Sequence, residues 1–274
     1  MKLPDAIDNI RPSVVQFSVM IKGARKGQQF GSGFIINSDG HVATAAHVVE
    51  QANALSSIGH RVSIGLAYPN LDSVEMGNVK LLTMQNCFYH IGAEVIAMDV
   101  INDVALLKMN PNPFDSPTPS MIKIGDDGPG PIPLYKECTT STKRPRDGES
   151  IVISGYPLNS PTLITTAGNL ASSWASTERV IINNGNTTTV TTDIYLADVS
   201  VNPGNSGGPT YSLEDGCVIG VCTAYQNAPL MYTDQNGGQV EINARPVGIN
   251  SGLCVVSPIS NILAMVDVEM AKHK

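Results

Sequence analysis

Short apolar segments separated by turn-forming residues constrain the fold of this 274-residue chain more than any other feature. They lie at residues 61–68, 79–84, 93–100, 104–109, 151–154 and 218–223. Segments of this length that alternate with turn residues are typical of β-barrels and β-sandwiches. The 25 glycines and 18 prolines supply the turns, and the length allows one or two domains with a sizeable core. The sequence therefore predicts an all-β protein.

A serine surrounded by glycines lies in residues 202–209, which read Asn-Pro-Gly-Asn-Ser-Gly-Gly-Pro. A serine hydroxyl is inert near neutral pH unless a general base takes its proton, and a developing oxyanion needs fixed N–H donors. The glycines give the backbone the freedom to expose the Ser206 hydroxyl beside unpaired amides. We therefore predict that Ser206 is a nucleophile.

The general base is predicted to be His47 because of its sequence context. The histidines of the chain are His41, His47, His60, His90 and His273. A predicted strand at residues 34–36 and a turn at 37–40 lead to a second strand, which delivers His47 at the start of a short helix over about 45–55. The small residues before His47 let other groups approach its imidazole closely.

The third member of such a site is a carboxylate that accepts the other ring N–H and stabilises the imidazolium. Asp103, at the start of an apolar strand, is predicted to have this role. Taken singly, a turn serine, a core histidine and a strand-capping aspartate are all common structural residues. Together, in the order His47, Asp103 and Ser206, they supply what one mechanism requires, so we favour the catalytic interpretation.

Residues 204–208 also satisfy the G-x-S-x-G pattern of the α/β-hydrolase nucleophile elbow. That elbow needs a helix after the serine and the chain order Ser, Asp, His. Here Pro209 and a loop-like segment follow, and the one downstream histidine is His273, near the C-terminus. We therefore reject this alternative.

These blocks resemble the trypsin-like serine proteases, and most closely the HtrA/Deg branch of bacteria and organelles. The matching blocks are residues 31–47, which begin with Gly-Ser-Gly-Phe and end with Thr-Ala-Ala-His, residues 102–107 and residues 198–209. Residues 220–224 are similar to the family's substrate-binding strand, and residues 248–258 to its closing strand and helix. The resemblance covers almost the whole chain.

The resemblance implies two six-stranded antiparallel Greek-key barrels that pack together, followed by a C-terminal helix. Residues 1–115 would form the first barrel, with His47 and Asp103, and residues 116–274 would form the second barrel, with Ser206. The linker is expected in the proline-rich segment at residues 111–119, which spans the boundary between these ranges.

The C-terminal helix is expected at about 258–272 and has one apolar stripe. The stripe consists of Ile259, Ile262, Leu263, Val266 and Met270. Surface helices usually bury their apolar face within their own domain, so we expect the stripe to pack on the second barrel. A homo-oligomer contact is the alternative.

The activity that follows is hydrolysis of peptide bonds by a serine endopeptidase. His47 would deprotonate Ser206, and the amides of Gly204, Asn205 and Ser206 would form the oxyanion hole. No metal or organic cofactor is predicted, because the chain has neither Cys-x-x-Cys nor His-Glu-x-x-His spacing. Proteins or peptides are the expected substrates and partners.

The resemblance also implies which residues line the substrate-binding pocket. They are Val199, Ser200, Val201, Thr223, Ala224 and Tyr225. Because Ser200 carries no charge, cleavage after Lys or Arg is not expected. If Tyr225 leans over the pocket, small aliphatic residues are preferred before the scissile bond; if it points to solvent, the pocket is roomy.

Cysteine usage and charge bear on the compartment and the partners. The cysteine count of five is odd, and Val48 follows His47 where secreted relatives have a half-cystine, so no disulfide framework is expected. Neither a signal peptide nor an 18-residue apolar run is present, so we expect a cytoplasmic protein without a membrane span. A periplasmic or secreted protein whose leader had been removed would look the same. The net charge of −7 argues against nucleic acid as a partner.

The sequence reaches Lys274 without the PDZ domain that often follows in HtrA-type proteins, so we expect either a stand-alone protease or a part of a longer protein. A second function class stays open, namely a latent or non-catalytic trypsin-fold scaffold that acts through protein contacts alone. The presence of His47, Asp103, Ser206 and the glycines together favours the active endopeptidase, because a non-catalytic protein would have no reason to retain them all.

Overall fold

The structure is a computed structural model. It describes residues 1–23, 27–76, 79–115, 121–122, 132–133, 135–183, 186–229, 232–233, 239–240 and 248–272. The chain begins with helix α1 (Leu3–Ile10) and a 3₁₀ turn (Arg11–Ser13). Two closed antiparallel barrels of six strands each follow. The predicted all-β, two-barrel fold is therefore confirmed.

The first barrel contains the first six strands. They are β1 (Val14–Met20), β2 (Gln28–Ile35), β3 (His41–Thr44), β4 (Arg61–Met76), β5 (Val79–Asp99) and β6 (Val104–Asn110). Around the barrel the order is β1-β2-β3-β6-β5-β4, and β4 pairs with β1 to close it. Helix α2 (Ala46–Ser57) connects β3 to β4 and confirms the helix expected after the His47 block.

The second barrel follows a short hairpin of β7 (Met121–Ile122) and β8 (Ile132–Pro133). Its strands are β9 (Ser150–Gly155), β10 (Ile164–Asn183), β11 (Asn186–Asp198), β12 (Pro209–Ser212), β13 (Val218–Pro229) and β16 (Gly248–Pro258). A second short hairpin, β14 (Tyr232–Thr233) with β15 (Gln239–Val240), separates the last two of them. Around the barrel the order is β10-β11-β16-β13-β12-β9.

Successive residues of one strand pack into two different apolar clusters, which explains the uninterrupted apolar segments. Phe34 packs into a cluster between the barrels, whereas Ile35 packs into the interior of the first barrel. Leu106 and Leu107 on β6 divide in the same way. Because side chains alternate between the faces of a strand, a strand that is buried on both faces reads as a continuous apolar run.

The cluster between the barrels joins them into one body. The first barrel contributes Phe34 and Leu106, the second barrel contributes Val152 and Tyr211, and all four are at most 1% exposed. Burial of a side chain of this size contributes about 1.5–3 kcal/mol. The packing therefore fixes how the open ends of the two barrels face each other.

Helix α3 (Ile259–Ala271) ends the described chain and packs on both barrels. It contacts β13 and β16 of the second barrel, as predicted, and also β6 of the first. Ile259 and Ile262 are buried in the cluster between the barrels, whereas Met270 is 40% exposed. The predicted stripe is thus buried at its N-terminal end, and a homo-oligomer contact stays a prediction.

The predicted domain boundary falls between residues 115 and 116. Residues 116–120 lie outside the described part of the chain. The described end of the predicted linker packs on the first barrel: the Phe114 ring lies edge-to-face on Tyr135, with centroids 4.9 Å apart. The boundary itself stays a prediction.

Two isoleucines provide a matched test of this packing. Ile262→Ala should lower the free energy of unfolding by about 2–5 kcal/mol, because the residue is fully buried between the barrels. Ile58→Ala should change it by less than about 0.5 kcal/mol, because Ile58 is 69% exposed at the end of α2. Urea unfolding measures both, and equal losses would contradict the packing of α3.

Candidate active site

His47 is positioned by the pairing of β3 with β6. Thr44, the last residue of β3, pairs with Ala105, so the chain enters α2 directly above the start of β6. His47 is the second residue of that helix. Ala45 and Ala46 beside it are at most 1% exposed, and such small side chains let the imidazole lie close to the barrel. The side chain of His47 remains 41% exposed at the mouth of the barrel.

Asp103 precedes β6 in a left-handed backbone conformation, with φ at 53°. Among residues other than glycine this region is uncommon, and Asp and Asn tolerate it best. The turn directs the carboxylate at His47: Oδ2 lies 2.9 Å and Oδ1 3.1 Å from Nδ1. Oδ1 also accepts a hydrogen bond from the His47 backbone N–H at 3.0 Å. Since an ionised carboxylate can only accept, a neutral imidazole here carries its proton on Nδ1, and no described residue hydrogen-bonds to its Nε2.

Ser206 lies across the same cleft, on the loop before β12. Its Oγ donates to the Thr223 carbonyl at 3.3 Å. Within the described part of the chain, no hydrogen bond joins Ser206 to the imidazole of His47. Because a serine side chain has three staggered wells, rotation about χ1 can release Oγ from Thr223.

The backbone before Ser206 forms a tight turn. The Asn205 N–H donates to the Asn202 carbonyl at 3.0 Å, and Gly204 has a φ of 102°. Proline at the second position and glycine with positive φ at the third define a type II turn. A Cβ on Gly204 would lie 2.5 Å from the Tyr156 carbonyl oxygen, so both the conformation and the space require glycine.

The turn leaves two of the three predicted oxyanion donors free. Among the described residues, the N–H groups of Gly204 and Ser206 have no hydrogen-bond partner, whereas that of Asn205 closes the turn. The Pro203 carbonyl accepts from the Leu158 N–H at 2.8 Å. In a trans peptide the next N–H points the opposite way, so the Gly204 N–H is directed away from Leu158.

A cleft of about 470 Å³ brings most of the predicted residues together. It is lined by His47, Asp103, Val201, Asn202, Pro203, Asn205, Ser206, Cys222, Thr223, Ala224 and Tyr225. Of the predicted site residues, Val199, Ser200 and Gly204 do not line it. Val199 packs into the interior of the second barrel, and Ser200 is exposed.

The cleft has lining residues that sequence reasoning did not single out. Cys222 is one of them, and its Sγ lies 3.5 Å from that of Cys254. This hydrogen bond, together with burial, raises the pKa of the Cys254 thiol well above its usual value. Both are free thiols, and of the pair Cys222 lines the cleft.

His41 and His90 have structural contacts outside the cleft. His41 is 2% exposed, and its Nδ1 contacts the Asn37 side-chain oxygen at 3.1 Å. His90 lies against Ser63 on the first barrel, and burial, aided by Arg61, lowers its pKa. In the described ranges, no group of three or more His, Cys, Asp or Glu side chains could hold a metal ion.

The chain belongs to the family of trypsin-like peptidase domains, whose family model matches residues 31–221. The "Probable periplasmic serine endoprotease DegP-like" of Halomonas elongata is 28% identical over 198 residues, which cover 71% of this chain and 29% of that protein. "Serine protease HTRA1B" of Danio rerio is 27% identical over 233 residues, which cover 84% of this chain and 38% of that protein. The chain thus spans less than half the length of these relatives.

The fold is similar to that of a solved structure, the active form of the Rv3671c protease from M. tuberculosis. The TM-score is 0.54 and the identity 20%, and the match covers 96% of this chain and 82% of that one. At this identity the likeness concerns the fold alone. The predicted resemblance to HtrA/Deg-type proteases is confirmed by the family model and the relatives.

The relatives do not support the prediction of a cytoplasmic protein. The Halomonas relative and a Pseudomonas putida relative are both named as periplasmic. Within the described ranges, no helix has the length and apolar character that crossing a membrane requires.

Gly204 gives a direct test of the turn. Gly204→Ala should reduce the rate at which a fluorophosphonate labels Ser206 by at least about 100-fold, because the added Cβ displaces the oxyanion donors. The matched control is Gly59→Ala, whose φ of 85° is equally unfavourable but whose Cβ would meet nothing within 4 Å. Both variants should lose about 1–3 kcal/mol of stability. Equal labelling of the two variants would contradict the geometry of the turn.

Proposed function

We propose that the protein is a serine endopeptidase with His47, Asp103 and Ser206 as its catalytic residues. One observation carries the proposal: the Asp103 carboxylate holds Nδ1 of His47 at the mouth of the cleft that contains Ser206. This arrangement gives the imidazole the tautomer that a general base needs.

The reaction begins when Nε2 of His47 takes the proton of Ser206 and Oγ attacks the carbonyl carbon of the scissile peptide bond. The carbonyl π electrons move to the oxygen, which becomes an oxyanion. The free N–H groups of Gly204 and Ser206 donate to it. Asp103 stabilises the imidazolium without taking its proton.

Collapse of the tetrahedral intermediate breaks the C–N bond, and His47 returns the proton to the leaving amine. An acyl-enzyme on Ser206 remains. Water then enters, His47 accepts one of its protons, and the hydroxide attacks the ester carbon. When the second intermediate collapses, the acid product leaves and Ser206 regains its proton, so the enzyme is restored.

The protein offers a peptide substrate a strand edge beside the nucleophile. β12 pairs with β13 as far as Val221, whereas β16 continues along the other edge past Tyr225. Among the described strands, none therefore pairs with this edge of residues 223–225, where the Thr223 carbonyl accepts the Ser206 hydroxyl. An extended peptide can add to this edge by main-chain hydrogen bonds. Such binding favours unfolded or extended segments of protein substrates.

The cleft favours a small aliphatic residue before the scissile bond. Val201 and Ala224 give an apolar lining, and among the described residues Asp103 is the acidic one that lines the cleft. Tyr225 lines the same cleft while 36% of it remains exposed, and this position suits a ring that limits the depth of the pocket. Both features favour Ala or Val over Lys, Arg or Phe.

Truncation of Tyr225 tests this preference. Tyr225→Ala should raise kcat/KM for substrates with Leu or Phe before the scissile bond by about 10-fold relative to substrates with Ala or Val, because the pocket gains depth. Tyr225→Phe is the control and should keep the original preference. An unchanged ratio in Tyr225→Ala would mean that the ring points to solvent and the pocket is roomy.

The activity itself is tested with a fluorophosphonate probe. Wild-type protein should gain one adduct, which peptide mapping should locate on Ser206, and it should cleave an unfolded protein. Ser206→Ala and His47→Ala should lose both the adduct and cleavage while their circular dichroism stays unchanged. Residual cleavage by Ser206→Ala would refute the assignment of the nucleophile.

A latent or scaffold function is the second candidate, and one observation favours it. The Ser206 hydroxyl is hydrogen-bonded to the Thr223 carbonyl and not to His47. If χ1 does not change, Ser206 is not activated. Absence of labelling in wild-type protein would therefore support this candidate over the active endopeptidase.

A further inference from the structure

Ser32 lies on β2 and is completely buried, although it is polar. Its neighbours Gly31 and Gly33 have no room for a side chain: a Cβ would lie 2.6 Å from Val48 at the first and 2.8 Å from the Ala43 carbonyl at the second. The strand is therefore in close contact on both sides of Ser32. A buried hydroxyl in such a position needs hydrogen-bond partners.

Both partners of this hydroxyl belong to the other barrel. Ser32 Oγ donates to the Gly204 carbonyl at 2.6 Å and accepts from the Tyr156 N–H at 2.8 Å. One atom of the first barrel thus joins the turn before Ser206 to the segment that follows β9. The catalytic reaction proposed above assigns no role to this hydroxyl.

The segment after β9 is the one that orients the Gly204 N–H. Leu158, two residues beyond Tyr156, donates its N–H to the Pro203 carbonyl at 2.8 Å. This contact fixes the Pro203–Gly204 peptide, and with it the direction of the Gly204 N–H. A rotation of that peptide by half a turn would convert the type II turn to type I and would withdraw the donor.

The same segment is strained and needs external support. Leu158 and Asn159 have φ values of 55° and 57°, and neither is glycine. Consecutive residues in this region persist only where the surroundings hold them. Asn159 is held from the first barrel by the Gln29 N–H, which donates to its Oδ1 at 2.8 Å. Ser32 supports the other end of the segment through Tyr156.

We propose that Ser32 is a positioning residue of the oxyanion site: its hydroxyl joins the Gly204 carbonyl to the Tyr156 N–H and so keeps the Gly204 N–H in the orientation that the type II turn gives it, away from Leu158. This inference rests on the proposed peptidase function. The backbone of Ser32 also contacts the site, since its N–H donates to the Ser206 carbonyl at 2.8 Å. A substitution of the side chain leaves that contact in place and isolates the hydroxyl.

Ser32→Ala is the decisive variant. With a peptide substrate that has valine before the scissile bond, kcat should fall about 10- to 100-fold, part of what loss of a whole oxyanion donor costs. KM should stay within about twofold, because the hydroxyl acts on the transition state. The inhibition constant of a tripeptide aldehyde ending in valinal should rise by a factor similar to the loss in kcat, because its hemiacetal oxyanion uses the same donors.

The pH profile separates this role from damage to the base. The acid limb of kcat/KM should keep its apparent pKa in Ser32→Ala, because the contact of His47 with Asp103 does not involve Ser32.

Ser13→Ala is the matched control: Ser13 is equally buried, and its Oγ donates to the Ile10 carbonyl at 2.6 Å, away from the cleft. It should lose comparable thermal stability and keep kcat and aldehyde affinity.

If Ser32→Ala does not fold, Ser32→Cys replaces it, because a thiol fills the site but is a weak donor. The same losses are expected. Unchanged kcat and aldehyde affinity in the folded variant, or equal losses in Ser13→Ala, would overturn the role of Ser32 and leave the proposed function intact. Wild-type protein that neither turns over nor binds the aldehyde would instead overturn the proposed function, and this inference with it.

Discussion

The apolar contact between the two barrels is the interaction on which the rest of the structure depends. The proposed base and acid lie on the first barrel, and the proposed nucleophile lies on the second. Phe34 and Leu106 pack against Val152 and Tyr211, and this packing determines the separation of the two loop sets. Because burial is non-directional, it brings the barrels together without setting the positions of individual polar atoms. Hydrogen bonds, which are directional, set those positions.

Hydrogen bonds across the interface supply this precision. Two of them start at Ser32: its N–H donates to the Ser206 carbonyl and its hydroxyl to the Gly204 carbonyl. Within the first barrel, the Thr44 hydroxyl donates to the Ser32 carbonyl at 2.7 Å. Thr44 lies three residues before His47, so one short stretch of polar contacts connects the backbone near the base with the backbone at the nucleophile. Charge-stabilising donors must be held within tenths of an ångström, and a buried network of this kind provides that rigidity.

Much of this arrangement could be predicted from the sequence because it is encoded locally. Gly204 and Gly207 have positive φ values of 102° and 86°, so the glycines of the motif indicate its backbone conformation. The all-β fold followed from segment length and turn residues. Asp103 was predicted as the acid from its place before a strand, but its unusual φ could not have been read from a single residue.

What the sequence did not reveal depends on contacts between distant residues. Ser32 lies 172 positions from Gly204 and 124 from Tyr156, so no local pattern links them. The Gly-Ser-Gly motif drew attention to Ser32 but not to its partners. Val199 illustrates a different limit, because the direction of its side chain depends on the strand alternation at the end of β11, which directs it into the barrel.

A crystal structure of the protein after reaction with a fluorophosphonate would show whether the two barrels together assemble a serine peptidase site. We expect a bond between phosphorus and Oγ of Ser206, with the phosphonyl oxygen about 2.7–3.1 Å from the backbone nitrogens of Gly204 and Ser206. We also expect that Oγ will have left the Thr223 carbonyl and that Nδ1 of His47 will still contact Asp103. An adduct on another residue, or a phosphonyl oxygen that neither amide contacts, would contradict it.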